Sequence, residues 1–396
     1  MKFLFIILDM KSHALRCIQL AKVIESELGA TVEFLSKANL SIIEKNKYKC
    51  HPYNSLNYEK IILSDKTEKH NWISYERMLP VIEEQIVLIQ KVEPDYIVTD
   101  MSFTGIIAAE CCNIPTIAIH NGMFTDHLNW QRNPPSSHPF FSILIRTPQL
   151  IKKKLLPIPE KFYLGSLHKV FCDLRKHFKL PQRKSYYDEF NGDYTLICDD
   201  KDFAPQKKLP HNIMHLGPLY HISTVQESNI IKKLDKNKKT ILVSLGSTGD
   251  ISRLDCLNDN IFSTYNIIIA GKNIFGISGS HVICKEFIEL ESVYDHIDIA
   301  LTQAGTGNIY QALSHAVPVL CFPTFFEQEW NSCRIKELKL GDYFLGSISG
   351  QILKEKIDKW LKVSKNQFFQ DVAKRIALKN TLNNFRKQLK IIVQEK

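Results

Sequence analysis

The chain has 396 residues and a net charge of +9, with 44% hydrophobic and 23% charged residues. This composition excludes a disordered, collagen-like or coiled-coil chain, and the length predicts two domains of roughly 150–200 residues each. No apolar run reaches the roughly 18–20 residues of a membrane-spanning helix, and the apolar start at residues 3–8 is shorter than the core of a signal peptide. We therefore expect a buried first strand and a cytoplasmic protein. Its ten scattered cysteines lack metal-site spacing, which indicates reduced thiols.

The positive charge is concentrated between residues 146 and 184, which hold eleven Lys or Arg and two acidic residues, Glu160 and Asp173. Three interpretations are open: a solvated helical face, a surface against an anionic membrane, and a nucleic-acid site. Apolar residues flank or interleave with the lysines, which is typical of peripheral membrane contact and predicts such contact through residues 140–184. No recognition motif supports a nucleic-acid partner, and we expect none.

In the first half of the chain, short apolar strands alternate with helical patterns. The patterns predict strands at residues 3–8, 31–35, 96–99, 116–120 and 195–198, and helices at 14–27 and 105–112. Residues 129–188 are rich in Pro, Phe and Lys and look helical only in parts. Continuous apolar strands between helices indicate a parallel sheet that is covered on both faces.

Residues 223–239 are polar and lack hydrophobic periodicity, as is typical of a linker. A second series follows, with predicted strands at 240–244, 266–270, 281–284, 297–301 and 318–322, and helices at 309–315, 329–338, 353–361 and 368–387. The two series predict an α/β fold of two Rossmann-like, doubly wound domains that face each other across a cleft. Ligands bind such sheets at the carboxyl ends of the strands.

The turn after the predicted strand 297–301 is built of small and amide-bearing residues. Gln303, Ala304, Gly305, Gly307 and Asn308 lead into a helix. Small residues allow a ligand to approach the backbone closely, and the start of a helix presents N–H groups and a positive dipole that suit a diphosphate. Many α/β turns have this composition for packing reasons, so the turn alone is a weak signal.

The continuation is more specific. The order and spacing of the following residues are kept without a gap: Ala312-Leu313, Ala316-Val317-Pro318, Pro323, Glu327-Gln328, Asn331 and Gly341. This series resembles the C-terminal half of the nucleoside-diphosphate-sugar glycosyltransferases with the GT-B fold, in the UDP-glucuronosyltransferase and macrolide-glycosyltransferase group. Further stretches are similar to that family: Val243-Ser244-Leu245-Gly246-Ser247, Leu216-Gly217-Pro218-Leu219, Ser12-His13, and 94–115.

The resemblance implies a domain plan and a donor site. Residues 1–222 would form an acceptor-binding domain, 223–239 a linker, 240–370 a donor-nucleotide domain, and 371–396 a C-terminal helix that crosses back towards the first domain. The donor-binding residues would hold the diphosphate, ribose and sugar without a metal or other cofactor: Gly246, Ser247, Gln303, Gly305, Gly307, Asn308, Gln311, Glu327 and Gln328. The co-substrate would be a nucleoside-diphosphate sugar, with UDP as the default.

The first half of the donor segment departs from the family pattern. Gln303 replaces the histidine that contacts the diphosphate, Ala304 the first glycine, Asn308 the threonine, and Gln311 the ribose-binding glutamate. The amides of Gln303 and Asn308 retain hydrogen-bond donors for phosphate. The Ala304-Gly305 pair is similar to the turn of MurG-type glycosyltransferases.

The resemblance also assigns the acid–base chemistry of an inverting transfer. His13 would be the general base, since an imidazole with a pKa of about 6.5 suits neutral pH, and Asp100 would orient it. The competing interpretations are a helix-start residue for His13 and a helix N-cap for Asp100, with Ser102 as an alternative cap. Asp200-Lys201-Asp202 matches the metal-binding pair of other glycosyltransferases, but its sequence context indicates a solvated loop.

Two alternative functions remain open. A sugar-nucleotide 2-epimerase shares the predicted fold and needs no acceptor. The second alternative is a catalytically weakened homologue that only binds a nucleotide or a partner. It is motivated by Gln303, Asn308 and Gln311, which depart from the family pattern. Neither the acceptor nor the oligomeric state can be deduced from the residues.

Overall fold

The computed structural model describes residues 1–56, 73–223, 228–246, 249–271 and 276–394. The chain divides into two compact units. Unit 1 comprises Met1–Gln131, Arg146–Leu219 and Leu378–Lys396, and unit 2 comprises Arg132–Ile145 and Tyr220–Ala377. Each unit has a parallel sheet with helices, as the alternating pattern predicts.

The described part of unit 1 contains a seven-stranded sheet in the order β3-β2-β1-β4-β5-β6-β7. All neighbouring strands pair in parallel. The strands are β1 (Lys2–Ile7), β2 (Thr31–Leu35), β3 (Lys49–His51), β4 (Tyr96–Asp100), β5 (Thr116–His120), β6 (Tyr194–Ile197) and β7 (Ile213–His215). The apolar side chains of β1 are buried, as the sequence predicts. The strand order reverses between β1 and β4.

The helices of the first half run from α1 to α7. They are α1 (Lys11–Leu28), α2 (Leu40–Lys45), α3 (Tyr75–Val92), α4 (Phe103–Cys111), α5 (Phe141–Leu144), α6 (Gln149–Leu155) and α7 (Pro157–His177). α1 begins three residues earlier than predicted, so it takes His13 into its first turn. It ends at Gly29, whose φ of +58° is the left-handed conformation that glycine adopts without strain.

The described part of unit 2 contains a six-stranded parallel sheet in the order β10-β9-β8-β11-β12-β13. Its strands are β8 (Thr240–Ser244), β9 (Asn266–Ala270), β10 (Val282–Lys285), β11 (Ile299–Thr302), β12 (Val319–Cys321) and β13 (Gly341–Tyr343). Besides α5, its described α-helices are α8 (Ser228–Ile231), α9 (Thr306–Ser314), α10 (Phe326–Glu337), α11 (Gly350–Leu361) and α12 (Gln367–Ile376). The order reverses between β8 and β11. The short α8 lies within the stretch predicted as an unstructured linker.

The C-terminal segment differs from the single helix predicted at 368–387, which is wrong. Ala377 has an extended ψ of 129° and separates α12 from α13 (Leu378–Gln394). α13 packs against α1, where Arg386 Nε donates to Glu27 Oε1 at 3.1 Å. Thr381 Oγ1 donates to the carbonyl oxygen of Pro218 at 2.7 Å. These contacts lie within unit 1.

Residues 132–145, which the predicted limits placed in the first domain, group with unit 2. They pack on α10. The indole nitrogen of Trp330 donates to the carbonyl oxygen of Asn133 at 2.8 Å, and the backbone N–H of Ser136 donates to Glu329 Oε2 at 2.8 Å. Both carboxylate oxygens of Glu329 are used, because Ser136 Oγ donates to the second.

Candidate functional site

Both groups of predicted site residues lie where the strand order of a sheet reverses. In unit 1, Ile7 at the end of β1 pairs with Asp100 at the end of β4, and His13 follows β1. In unit 2, the ends of β8 and β11 are neighbours, and Gly246 and Gln303 follow them. Loops that leave such a reversal point in opposite directions open a crevice at the carboxyl ends of the strands, where α/β proteins bind ligands.

Asp100 is fully buried and is held by Arg16 and His13. Arg16 donates from Nε to Asp100 Oδ2 at 2.6 Å and from Nη2 to Oδ1, which makes a two-point ion pair. His13 Nδ1 lies 3.0 Å from Asp100 Oδ1 and 3.3 Å from Arg16 Nη2. Arg16 Nη1 donates to Asn121 Oδ1 at 3.0 Å. These four residues form the His13 cluster.

The electrostatics of the His13 cluster follow from burial and from the charges of Asp100 and Arg16. Burial lowers the pKa of His13, the negative charge of Asp100 raises it, and the positive charge of Arg16 lowers it again, so that the pKa lies below its usual value. Burial alone would raise the pKa of Asp100, but Arg16 and His13 outweigh burial and hold it well below its usual range. His13 is therefore neutral at neutral pH, next to an ionised carboxylate.

This arrangement leaves one ring nitrogen for chemistry. With a proton on Nδ1 donated to Asp100, the other nitrogen, Nε2, has a lone pair, and no other described residue forms a hydrogen bond with it. The His13 side chain is 14% exposed, so solvent or a ligand reaches it. A neutral imidazole oriented by a buried carboxylate can accept a proton at Nε2.

The competing interpretation of Asp100 as a helix cap is not what the structure shows. Ser102 is the N-cap of α4, and its hydroxyl oxygen accepts from the backbone N–H of Gly105. Arg16 was missed by the sequence reasoning. A signal was present, because residues three apart on a helix lie on the same face, which places Arg16 beside His13.

In unit 2, the turn at 303–305 joins β11 to α9, whose first turn contains Asn308. Ala304 has a φ of +69°, in the left-handed region, and Gly305 precedes the first turn of the helix. Asn331, fully buried on α10, donates from Nδ2 to the carbonyl oxygen of Ala304 at 3.0 Å and so fixes the turn. The first backbone N–H groups of an α-helix have no acceptor within the helix, so the start of α9 is a place where an anion can bind.

The two amides of the turn have different uses in the structure. Asn308 Nδ2 donates to the carbonyl oxygen of Ser244 at 3.1 Å and lies 3.4 Å from Gln303 Oε1. The expected donation from this amide to a phosphate therefore competes with contacts inside the protein. Gln303 Oε1 also accepts from Thr302 Oγ1 at 3.3 Å, which leaves Nε2 of Gln303 as the donor without an acceptor among the described residues.

Gln303 can lie close to the backbone of Gly246 because Gly246 has no side chain. The φ of Gly246 is +60°, and a Cβ atom there would come within 2.2 Å of Gln303 Nε2. A Cβ on Gly305 would lie 3.5 Å from Gln303 Nε2, and a Cβ on Gly307 would meet no atom of the residues that the structure describes within 4 Å. The predicted donor residue Ser247 lies outside the described residues.

Gln311 on α9 lies beside a carboxylate that the sequence reasoning missed. Its Nε2 lies 3.3 Å from Glu291 Oε2 and 3.4 Å from the carbonyl oxygen of His221. Glu291 also contacts His315, whose Nε2 lies 3.2 Å from Oε1. Burial would lower the pKa of His315, but the hydrogen bonds and charges of Glu291 and Asp295 raise it. A carboxylate thus lies next to the amide that replaces the family's glutamate.

Glu327 and Gln328 lie in the first turn of α10. Gln328 is buried, and its Oε1 accepts from the backbone N–H of Thr324 at 2.9 Å and from its hydroxyl at 3.0 Å. Its amide oxygen therefore shapes the loop before the helix. Glu327 is half-buried at the same helix end, where a carboxylate is favoured by the helix dipole.

The acidic pair at 200–202 has a structural use. Asp200 Oδ1 accepts from the backbone N–H groups of Asp202 at 3.1 Å and Phe203 at 3.3 Å, which caps a turn. Within the described ranges, no group of three or more His, Cys, Asp or Glu residues is arranged to hold a metal ion.

Comparison with known proteins gives relatives of one kind. No family model matches the chain. A PGL/p-HBAD biosynthesis glycosyltransferase of Mycobacterium tuberculosis is 25% identical over 257 residues, which are 62% of this chain and 57% of the relative. A UDP-N-acetylglucosamine–N-acetylmuramyl-(pentapeptide) pyrophosphoryl-undecaprenol N-acetylglucosamine transferase of Staphylococcus saprophyticus is 28% identical over 199 residues, 46% of this chain and 51% of the relative. The chain is a relative of glycosyltransferases.

Solved glycosyltransferase structures share the fold over nearly the whole length. The glycotransferase of kitacinnamycin superposes with a TM-score of 0.74 at 13% identity and covers 98% of both chains. The spinosyn rhamnosyltransferase SpnG, complexed with thymidine diphosphate, superposes with a TM-score of 0.68 at 11% identity, covering 99% of this chain and 100% of its own. These likenesses establish the GT-B fold, as the sequence predicts.

The glycosyltransferase relatives match this chain over little more than half of their own length. None of the relatives compared above is named as an epimerase, so the comparisons lend no support to that alternative. Among the helices that the structure describes, none combines the length and the apolar character needed to cross a bilayer.

Proposed function

We propose that the chain transfers a sugar from a nucleoside-diphosphate sugar to a hydroxyl group, with His13 as the general base and without a metal. The observation that carries the proposal is the 3.0 Å contact of His13 Nδ1 with the buried carboxylate of Asp100, which leaves Nε2 as a proton acceptor. The relationship to glycosyltransferases supports the reaction class.

The chemistry follows from a single displacement. The acceptor oxygen forms a bond to the anomeric carbon while its proton passes to His13 Nε2. The bond between the anomeric carbon and the diphosphate oxygen breaks, and its electron pair leaves with the diphosphate. Attack from the face opposite to the leaving group inverts the configuration. Asp100 stabilises the imidazolium that forms, as the acid does in a hydrolytic triad.

We assign the binding site of the nucleoside-diphosphate sugar to unit 2. Gln303 Nε2 and the first N–H groups of α9 supply fixed donors for the negative charge on the departing diphosphate. Gly246, Gly305 and Gly307 keep the space above the turn open, and Glu327 with the amide nitrogen of Gln328 binds sugar hydroxyls. A neighbour of the same fold binds thymidine diphosphate, and a relative is named for UDP-N-acetylglucosamine. We take UDP as the default nucleotide.

The acceptor is proposed to be a small molecule or a lipid-like compound. The name of the staphylococcal relative includes a pyrophosphoryl-undecaprenol acceptor, which is lipid-linked. A cytoplasmic location with peripheral contact to an anionic membrane through residues 140–184 is part of this proposal.

The test uses water as a slow acceptor, so the natural acceptor need not be known. Purified protein is incubated with a panel of UDP-, TDP- and GDP-sugars, and release of the nucleoside diphosphate is measured. We expect release from at least one donor and a loss of about 10²- to 10⁴-fold in His13→Ala. His211→Ala, at an exposed histidine, is the matched control and should leave release unchanged.

Three outcomes contradict the proposal. Undiminished release of the nucleoside diphosphate by His13→Ala would show that His13 is not the general base. Isomerisation of the sugar nucleotide without release would indicate an epimerase. Failure of every sugar nucleotide to bind in calorimetry would favour a catalytically weakened homologue, which the contacts of the Asn308 and Gln311 amides within the protein also motivate.

A further inference from the structure

The two consecutive helices α6 and α7 expose large apolar side chains within fourteen residues. Each of the six is between 47% and 78% exposed: Leu150, Ile151, Leu155, Ile158, Phe162 and Tyr163. We call them the 150–163 face. Exposed apolar residues on soluble domains are usually scattered singly, so a cluster of this size indicates an interaction surface.

The placement of α7 explains the exposure. Its buried side chains, Phe171, Leu174 and Arg175, all lie in its C-terminal part, whereas none of residues 157–170 is buried. The buried end is fixed by ion pairs: Arg175 Nε donates to Glu189 Oε2 at 2.8 Å and Nη1 to Glu110 Oε2 at 2.6 Å. The apolar N-terminal half therefore extends from a rigidly held base.

The charges around the 150–163 face have one sign. Between residues 146 and 166, the exposed charged side chains are all basic: Arg146, Lys153, Lys154 and Lys161. The acidic residue of this stretch, Glu160, is half-buried and accepts from Gln131 Nε2 at 2.7 Å. Bulky apolar side chains bordered by lysines are the chemistry that binds the interface of an anionic bilayer, where the apolar groups enter the acyl boundary and the lysines remain at the headgroups.

We propose that the 150–163 face docks the protein peripherally on an anionic lipid surface. The inference rests on the membrane contact in the proposed function and narrows it to a face of unit 1, and it does not depend on the transfer reaction. Leu150 and Phe162, each more than three-quarters exposed, are the apolar anchors. Lys153, Lys154 and Lys161 supply the attraction to the headgroups.

The test is sedimentation of the full chain with vesicles of phosphatidylcholine, with and without phosphatidylglycerol, at low and high salt. We expect at least about tenfold tighter binding to the anionic vesicles at low salt, and loss of this preference at high salt, since salt screens the lysines. Leu150→Ser combined with Phe162→Ser should abolish binding to both vesicle types. Lys153→Gln, Lys154→Gln and Lys161→Gln should each weaken anionic binding about fivefold.

Matched controls separate the face from general effects. Ile352→Ser with Phe368→Ser removes two apolar residues elsewhere that are about half exposed, and Lys232→Gln, Lys233→Gln and Lys236→Gln remove three exposed lysines. Both controls should bind as the wild type does, and all variants should keep its melting temperature. Equal binding to neutral and anionic vesicles, or wild-type binding by the apolar double variant, overturns the proposal. Self-association without lipid that the apolar double variant abolishes would instead assign the face to a second copy.

Discussion

Arg16 pairs with both oxygens of the Asp100 carboxylate, and its Nη2 also lies 3.3 Å from Nδ1 of His13. This relationship changes how the histidine and the aspartate act on each other. A carboxylate alone would raise the pKa of the imidazole, whereas the arginine offsets much of its charge. The imidazole therefore stays neutral to lower pH, and the carboxylate stabilises the imidazolium less than it would without Arg16.

Replacing Arg16 by Met should therefore move the pH dependence of the reaction. The pKa of His13 is lowered by burial and by Arg16, and without Arg16 only burial opposes Asp100. Because protonated His13 cannot accept a proton, the acidic limb of the kcat/KM profile should shift to higher pH. The profile, together with NMR titration of the His13 ring, measures this shift. Arg386→Met, at a surface ion pair, is the control, and an unchanged acidic limb in Arg16→Met would refute the role.

Asp100→Asn should destabilise the protein by about 3–5 kcal/mol at neutral pH, since it leaves a buried arginine without its charge partner. The pKa of Asp100 is lowered in the folded state, so its ionised form contributes stability above the unfolded value of about 3.9. That contribution is lost as the pH falls through the folded-state pKa. The difference from the wild type in urea unfolding should therefore shrink below about pH 4. Exposed Asp255→Asn provides the comparison, and a pH-independent difference would contradict the assignment.

Gly246→Ala should impair nucleotide binding by moving Gln303. A methyl group there meets Gln303 Nε2 at 2.2 Å, and the left-handed backbone costs a non-glycine residue about 1–2 kcal/mol. At Gly307 an added methyl group meets no atom of the described residues within 4 Å, so Gly307→Ala should instead gain about 0.5–1 kcal/mol of stability as a helical alanine. If the diphosphate lies above the turn, Gly307→Ala will still bind UDP less tightly. Calorimetry and thermal unfolding measure both effects, and wild-type affinity in Gly246→Ala would argue against Gln303 as a phosphate donor.

Glu327→Ala should weaken binding of the sugar nucleotide more than it weakens binding of free UDP. Loss of a hydrogen bond to a charged group costs about 1.5–3 kcal/mol, which corresponds to about ten- to a hundredfold in affinity for the sugar nucleotide. Free UDP should be affected less than about twofold. Glu337→Ala, near the other end of α10, controls for changes in the helix. Equal losses for both ligands would place Glu327 away from the sugar.

The alternation of apolar strands and helices predicted the central strands of both sheets, because burial on both faces requires continuous apolar strands. It did not predict the three-residue strands β3, β7 and β13, which lie at the edges of the sheets. It also predicted that His13, Asp100 and Gln303 lie at the carboxyl ends of strands, whereas the order of the strands, and so the reversal points, came from the structure. The Arg16–Asp100 pair could not be predicted, because its partners are 84 residues apart and only the sheet brings them together. The break at Ala377 could not be predicted either, because no Gly or Pro marks it in the sequence. In the structure, α13 follows this break and packs against α1.

The position of the Glu291 carboxylate also could not be predicted from the sequence. The sequence motif marks position 311 as the place for an acid, and the structure provides one from a different segment, 3.3 Å from the Gln311 amide. A motif compares single positions, whereas a binding site needs a chemical group at a point in space. Although Gln311 replaces the family's glutamate, a carboxylate, that of Glu291, still lies beside position 311.

The tethering of residues 132–145 to α10 has a consequence for engineering chimaeras. Because these residues group with unit 2 while residues 131 and 146 group with unit 1, the chain passes between the units four times rather than once. A graft of the C-terminal half alone, cut within 223–239, would leave Trp330 without Asn133 and Glu329 without Ser136. A working exchange with a relative therefore has to transplant residues 132–145 together with 220–377, as a discontinuous module.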